Sequence, residues 1–268
     1  MYCLLKKNFI FLVSVFIVAN IAADENTQMK INVTADPALP SRNLLGENAD
    51  FEKGTEGWEL NNKAVQSKSI EPTEADGRKV ISINSSEGVI GRTVILTKSF
   101  KVGEEYILSC LLKTDEKVSQ KAGSFSGCGA TFSFFQKDWK KAETVYARSA
   151  STDGKWVKAV SKPIACPEWA HLYRLHLGIM YSAGSGFIEK VVLTKAYTTI
   201  RIEVKASIDI RQVIVDNETG ENFFDSDLLD EGKKTFTKTL KVLSPYQYHI
   251  KVLDANGGIY TAVYPEEK

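Results

Sequence analysis

The chain has 268 residues, 43% hydrophobic and 25% charged, which is ordinary globular composition and length enough for one large or two small domains. Its 34 Lys and Arg against 33 Asp and Glu leave a formal net charge of +1. The two signs are interspersed, so bulk charge supplies no basic stripe for a nucleic-acid backbone.

In chain order, Lys6 and Lys7 precede the apolar run FIFLVSVFIV at 9–18, and small residues follow through Ala22 and Ala23. That order is the one found in a secretory signal peptide, expected over 1–23. The run is short of the about 20 apolar residues that a membrane span needs, so no membrane insertion is expected after cleavage, and the product is secreted, periplasmic or at the cell surface. Residues 24–42 are polar, contain ADPALPSR, and read as a linker.

From residue 43 the pattern is that of strands. KVISIN, TVILTKSF, YILSCLLK, ATFSFFQ, KWVKAVSKPI, HLYRLHLGIM and GFIEKVVLTKA have strand length, are rich in β-branched and aromatic residues, and are separated by turn formers. No window of helical length keeps an apolar stripe with caps. An all-β chain results, with an antiparallel sandwich over 43–197. A second strand-rich segment, 198–268, carries turn signals at NETG (217–220) and NGG (256–258). About seventy residues make a small immunoglobulin-like or fibronectin-like sandwich with a modest core. Such a unit is expected to lean on the larger domain or on a protein partner.

Cys110, Cys128 and Cys166 remain after the leader. Cys110 is in phase with Tyr106, Leu108 and Leu112 and reads as a buried core residue. Cys128 and Cys166 lie in turn-like surroundings and are the better candidates for a bridge in an oxidising compartment.

Phase also assigns sheet faces. Tyr173, Leu175, Leu177 and Ile179 share the apolar face of their strand, leaving Arg174, His176 and Met180 on the other. Arg174 and His176 either read ligand hydroxyls or merely solvate the sheet. Phe132 and Phe134 point inward, which places Phe135 on the opposite face. Trp139 follows in QKDWKKAE, with few apolar neighbours, as either an exposed stacking ring or a rim residue under a loop. Tyr146 and Tyr181 are weaker candidates of the same kind.

Catalytic motifs are not apparent. His171 and His176 are five apart and face opposite ways on one strand. GSFSG at 123–127 has the wrong central residue for a nucleophile elbow, and no glycine-rich loop precedes the Lys-Ser/Thr of a phosphate cradle. The expectation is a protein that is not an enzyme.

The blocks NLLGENADFEKGTEGW, GRKVISIN, SFKVGEEYILSCLLKTDE, GKWVKAVSKPI and SAGSGFIEKVVLTKA occur in that order over about residues 43–196. Together they resemble carbohydrate-binding modules of the CenC type. The resemblance implies a galactose-binding-like jelly roll that binds polysaccharide or oligosaccharide on its concave sheet. On that likeness, Phe135 and Trp139 would stack on sugar and Arg174 and His176 would read hydroxyls. It also implies a structural calcium held by Glu52, with Glu189 standing where the family shows an Asp-Asp pair; calcium wants six to eight oxygen ligands. Leu44 and Leu45 then begin the first strand, and Trp58 packs beside the sheet. Two functions remain open: a secreted, non-catalytic glycan-binding protein, or a structural or adhesive surface module that has lost sugar binding and serves protein contacts.

Overall fold

The computed structural model describes residues 15–17, 28–36, 43–45, 48–54, 56–60, 70–85, 90–95, 100–114, 127–180 and 183–265. The described residues form 19 strands and no helix. In chain order the first nine are β1 (Val15–Ile17), β2 (Met29–Asp36), β3 (Glu59–Leu60), β4 (Ile70–Ala75), β5 (Arg78–Ser85), β6 (Ile90–Ile95), β7 (Glu105–Thr114), β8 (Gly127–Phe135) and β9 (Ala142–Ser149). Then come β10 (Val157–Val160), β11 (Ile164–Ala165), β12 (Leu172–Met180), β13 (Gly184–Lys195), β14 (Tyr197–Ala206) and β15 (Ile210–Asn217). The last are β16 (Asn222–Asp225), β17 (Thr235–Leu243), β18 (Tyr248–Asp254) and β19 (Ile259–Tyr264). The chain divides into two compact units: Arg42–Tyr197, and the pair of segments Met1–Ser41 and Thr198–Lys268.

The 42–197 unit is a sandwich of two antiparallel sheets. One runs β10-β7-β13-β5-β4, with β11 also on β7; the other runs β3-β6-β12-β8-β9. The chain passes from one sheet to the other at β3 to β4, β5 to β6, β6 to β7, β7 to β8, β9 to β10, β11 to β12 and β12 to β13, which is jelly-roll connectivity. The core forms between the sheets because alternate residues of each strand are apolar. Leu108, Cys110, Leu112, Ile188 and Leu193 face Phe132, Phe134, Leu175, Leu177 and Ile179, all 2% exposed or less.

The stretch NLLGENADFEKGTEGW is a clamp that closes one side of this sandwich. Asn43 Nδ2 donates to the Val191 carbonyl at 2.6 Å, while its Oδ1 accepts from the N–H groups of Leu45 and Leu193. Leu44 and Leu45 lie in a turn rather than opening a strand, because the Asn43 side chain takes the Leu45 N–H two residues on, an Asx turn that bends the chain. Asn48 Nδ2 donates to the carbonyls of Gly54 and Glu56, and its own carbonyl accepts from Trp58 Nε1 at 3.2 Å. Phe51 and Trp58 are thereby drawn into the core, ring centroids 5.6 Å apart.

The second unit differs from the sequence expectation at its N-terminal edge. Residues 29–36, expected within a linker over 24–42, form β2, which pairs with β14 along its whole length from Met29↔Ala206 to Asp36↔Thr199. The cause is a period-two pattern: Met29, Ile31 and Val33 are buried, while Lys30, Asn32 and Thr34 turn away. The small sandwich therefore does not simply follow the jelly roll. It takes β1 and β2 from before it, and the jelly roll is inserted between β2 and β14. One sheet runs β1-β2-β14-β17 and the other β16-β15-β18-β19. Tyr248 pins the β17–β18 connection, its hydroxyl accepting from the Leu243 N–H at 3.0 Å and donating to the Leu243 carbonyl at 3.2 Å, as a tyrosine corner does in β-sandwiches. The expected leader over 1–23 lies outside the described residues, save the backbone of β1, which pairs with β2.

The expected Cys128–Cys166 bridge is corrected: all three described thiols are free and buried. Cys128 begins β8 and packs under Gly186, whereas Cys166 lies beside Tyr106 and Tyr173. Tyr173 is the register partner of Phe134, six residues and about 20 Å along β8 from Cys128, so the two thiols sit toward opposite ends of that strand. Burial pushes the Cys110 thiol up to about 12 and the Cys128 thiol higher still.

Candidate functional site

The non-core face of the β12-β8-β9 sheet is assembled by register. Phe135 lies between Leu172 and Ala142; Ser133 between Arg174 and Thr144; Thr131 between His176 and Tyr146; and Gly129 between Gly178 and Arg148. On β8 these residues alternate with the buried Ala130, Phe132 and Phe134, and the register carries the same face onto β12 and β9. The result is an aromatic end, then a polar floor. Ser133 Oγ and Thr144 Oγ1 are hydrogen-bonded at 2.9 Å. The Arg148 guanidinium lies 4.1 Å from the Tyr146 ring centroid, and burial pulls its pKa below the usual arginine range.

At the aromatic end, residues 136–141 make the hairpin turn between β8 and β9. The Gln136 N–H donates to the Lys141 carbonyl and the Trp139 N–H to the Gln136 carbonyl, both at 2.9 Å. This geometry leaves Trp139 at φ +63°, a left-handed conformation that bulky side chains rarely adopt. The strained backbone brings the indole to 4.7 Å from the Phe135 ring, tilted by 49°, while leaving Trp139 50% exposed. Phe51 shares this left-handed conformation at φ +60° but is buried in the core, so it is the exposure of Trp139 that makes its ring a candidate contact. Behind the hairpin, Lys141 stands over the Trp169 ring at 4.6 Å, and the His171 N–H donates to the Phe135 carbonyl at 2.9 Å.

Phe135, Trp139 and Arg174 thus occupy one face and its rim. His176 lies on the same face but is only 6% exposed, so the expectation of an open hydroxyl reader is corrected. Burial, with Arg174 beside it, pulls its pKa down to about 4, and the imidazole is neutral at ordinary pH. Tyr181 lies outside the described residues. Thr144 and Arg148 were not among the sequence candidates, although AETVYARS alternates Thr144, Tyr146 and Arg148 with Val145 and Ala147 and could have revealed them.

Glu52 and Glu189 do not form a calcium cage. Glu52 pairs with Lys79, holding that ammonium above the usual lysine range, and Glu189 Oε2 meets Arg78 Nη1 at 2.7 Å. Among the described residues no group of three or more His, Cys, Asp or Glu could hold a metal ion. Within the opening loop the Asn48 amide, not a cation, takes the carbonyls of Gly54 and Glu56. The donor set does not fit the ion. A site filled at a hundred times its dissociation constant would add about 2.7 kcal/mol, or a rise of roughly 5–10 °C in Tm for a chain of this size. The expected result is an equal Tm in calcium and in EDTA; a rise of about 5 °C in calcium would restore the cage.

No protein-family model matches the sequence, and neither does any curated protein. Similar solved structures include carbohydrate-binding modules and the enzymatically active domain of tailspike protein 4 from bacteriophage CBA120, the last 10% identical at a TM-score of 0.39 over 55% of this chain and 21% of that one. The CBM22-1 xylan-binding domain from Paenibacillus barcinonensis Xyn10C is 20% identical, covering 55% of this chain and 90% of that one, at a TM-score of 0.41. A family 16 carbohydrate-binding module is 15% identical, covering 55% and 97%, at 0.40. TmCBM61, solved in complex with β-1,4-galactotriose, is 16% identical, covering 58% and 99%, at 0.37. These belong to families 22, 16 and 61, so the CenC-type likeness of the sequence stays a resemblance. At such identities and scores the site has to be read from its own geometry.

Proposed function

We propose that the protein is a secreted, non-catalytic glycan-binding protein whose ligand lies on the β12-β8-β9 face. One observation carries this reading: the Phe135–Trp139 pair, held open by a left-handed backbone at the end of a hydroxyl- and guanidinium-lined floor. Aromatic faces stack on the apolar faces of sugar rings, and the half-buried Thr144 and Arg174 offer donors and acceptors for hydroxyl groups, while Ser133, 7% exposed, positions Thr144 through their hydroxyl pair. Secretion rests on the leader-like order of residues 1–23, and the small sandwich is the part proposed to meet a protein partner.

The test is a glycan array on the mature protein, followed by calorimetric titration of the selected glycan. Trp139→Ala and Phe135→Ala are expected to weaken binding about tenfold or more each, through loss of stacking worth roughly 1–3 kcal/mol by analogy with other ring stacking. Trp139→Ala should leave the unfolding midpoint nearly unchanged, because the ring is half exposed. Unchanged affinity in both variants rejects this face. A mature protein that binds no glycan favours the adhesive reading.

A further inference from the structure

A sheet edge presents unpaired backbone groups to any other chain, and most edges here carry a feature that discourages such pairing. The edge strands longer than three residues are β4, β9, β10, β16, β17 and β19. Pro72 with Glu71 and Glu74 lies on β4, Glu143 and Arg148 on β9, Lys158 on β10, Asp225 and a bulge on β16, and Lys238 and Lys241 on β17. Strand β19, IYTAVY, has no charge, no proline and an unshifted register with β18. Among the described residues no strand pairs with its other edge. Ile259 is 57% exposed, and Thr261 is exposed too. The Asp254 N–H donates to the Gly258 carbonyl at 3.0 Å, which sets the alternation of the hairpin. Backbone groups of Tyr260, Ala262 and Tyr264 therefore turn to β18, and those of Ile259, Thr261 and Val263 point outward.

Resting on the reading that the small sandwich meets a protein partner, we propose that this partner is a second copy of the chain, joined by antiparallel pairing of the two β19 strands about a two-fold axis. The edge is self-complementary. With the axis at Thr261, the outward backbone groups of Ile259, Thr261 and Val263 meet those of the second copy in matching pairs. The side chains fall in step with them: Ile259 lies opposite the second copy's Val263, the two Thr261 hydroxyls lie opposite each other, and Tyr260 lies opposite Ala262. Apolar and Thr–Thr pairs of this kind stabilise neighbouring strands, and no like charges are brought together. The charge nearest in the Thr261 row, Lys251 of β18, is tied to Asp216 at 2.7 Å. Self-pairing through β17, whose charges are all lysines, or through β4, whose charges are all glutamates, would instead gather like charges. One strand from each chain is a small contact, so the dimer is expected at roughly micromolar concentrations or above.

The test is sedimentation equilibrium of the mature protein over about 1 to 500 μM, a range that brackets a contact of this size. The expected result is a weight-average mass that climbs toward that of two chains and stops there. A single-chain mass throughout overturns the proposal. A mass that keeps growing past two chains overturns it as well, because a closed two-fold pair leaves no β19 edge free. Thr261→Lys sets like charges against each other on the axis and should raise the midpoint concentration by on the order of tenfold. Thr237→Lys, the same change at an exposed position of the edge strand β17, should not. Both variants should keep the wild-type urea midpoint, since both threonines are exposed. A dimer indifferent to Thr261→Lys, or weakened equally by Thr237→Lys, overturns the assignment to β19. The glycan array reads the other unit separately: a protein that binds glycan and stays monomeric overturns the dimer alone and leaves the glycan reading standing.

Discussion

Acidification from about pH 7 to about pH 4 is expected to remove about 3 kcal/mol of stability from the 42–197 unit through His176 alone. The imidazole is 6% exposed, and burial with the neighbouring Arg174 lowers its pKa from 6.5 to about 4. Between those two values the unfolded chain binds a proton that the folded chain does not, so stability is complete above about 6.5 and declines as pH falls. The slope approaches about 1.4 kcal/mol per pH unit. Asp76 and Glu104 also have lowered pKa values, the first through the Trp156 indole and Lys113, the second through Lys195. Their carboxyls add acid sensitivity as pH falls through their unfolded values, from about 5 downward, leaving the window from about 6.5 to 5 to the histidine. Urea titrations across that window should show the wild type losing stability and His176→Gln holding level. Equal losses in both would mean that the ring titrates in the folded state near its ordinary value. Sugar binding, by the same reasoning, has no His176-dependent switch near neutral pH.

How much of this was legible beforehand depends on what periodicity can report. In ATFSFFQ, phase alone separates Phe132 and Phe134 from Phe135, and the structure buries the first two completely. Phase likewise places Cys110 in the core. Phase names a face, however, and not its exposure: His176 and Arg174 share a face, yet one is buried and the other partly open. Exposure is set by what lies across the strands, and a single strand does not contain that information. The Cys128–Cys166 expectation failed for a related reason, since turn-like neighbours suggest accessibility while only the register of β8 with β12 shows how far apart the thiols lie. Trp139 was legible as an odd ring among charges. Its left-handed backbone and the 4.7 Å approach to Phe135 come from the hairpin's hydrogen bonds.

The alternation of β2 is present in the sequence, but QMKINVTAD is short, polar and followed by prolines, and composition masks an alternation that spans only three apolar positions. Its burial makes the strongest claim about the second unit. Met29, Ile31 and Val33 are 8%, 3% and 1% exposed, and at about 1.5–3 kcal/mol for each buried side chain they contribute roughly 5–9 kcal/mol. That matches the whole stability of a typical domain, about 5–15 kcal/mol. A chain of residues 198–268 alone is therefore expected not to unfold cooperatively. Asp36 and Thr199 are direct register partners on β2 and β14, so the inserted unit occupies the place of a hairpin loop. The inserted unit's own ends are also adjacent, with the Leu44 N–H donating to the Leu193 carbonyl at 2.7 Å. Insertion at such a loop leaves both folds intact. Joining residues 28–36 to 199–268 through a short type I′ turn should then restore a small sandwich with a single urea transition, and residues 42–197 should fold without it. If the 198–268 chain alone shows the same midpoint as the joined chain, β2 is dispensable and the small sandwich stands on its C-terminal strands. If the joined chain fails while the full chain holds, the small sandwich depends on the inserted unit for stability.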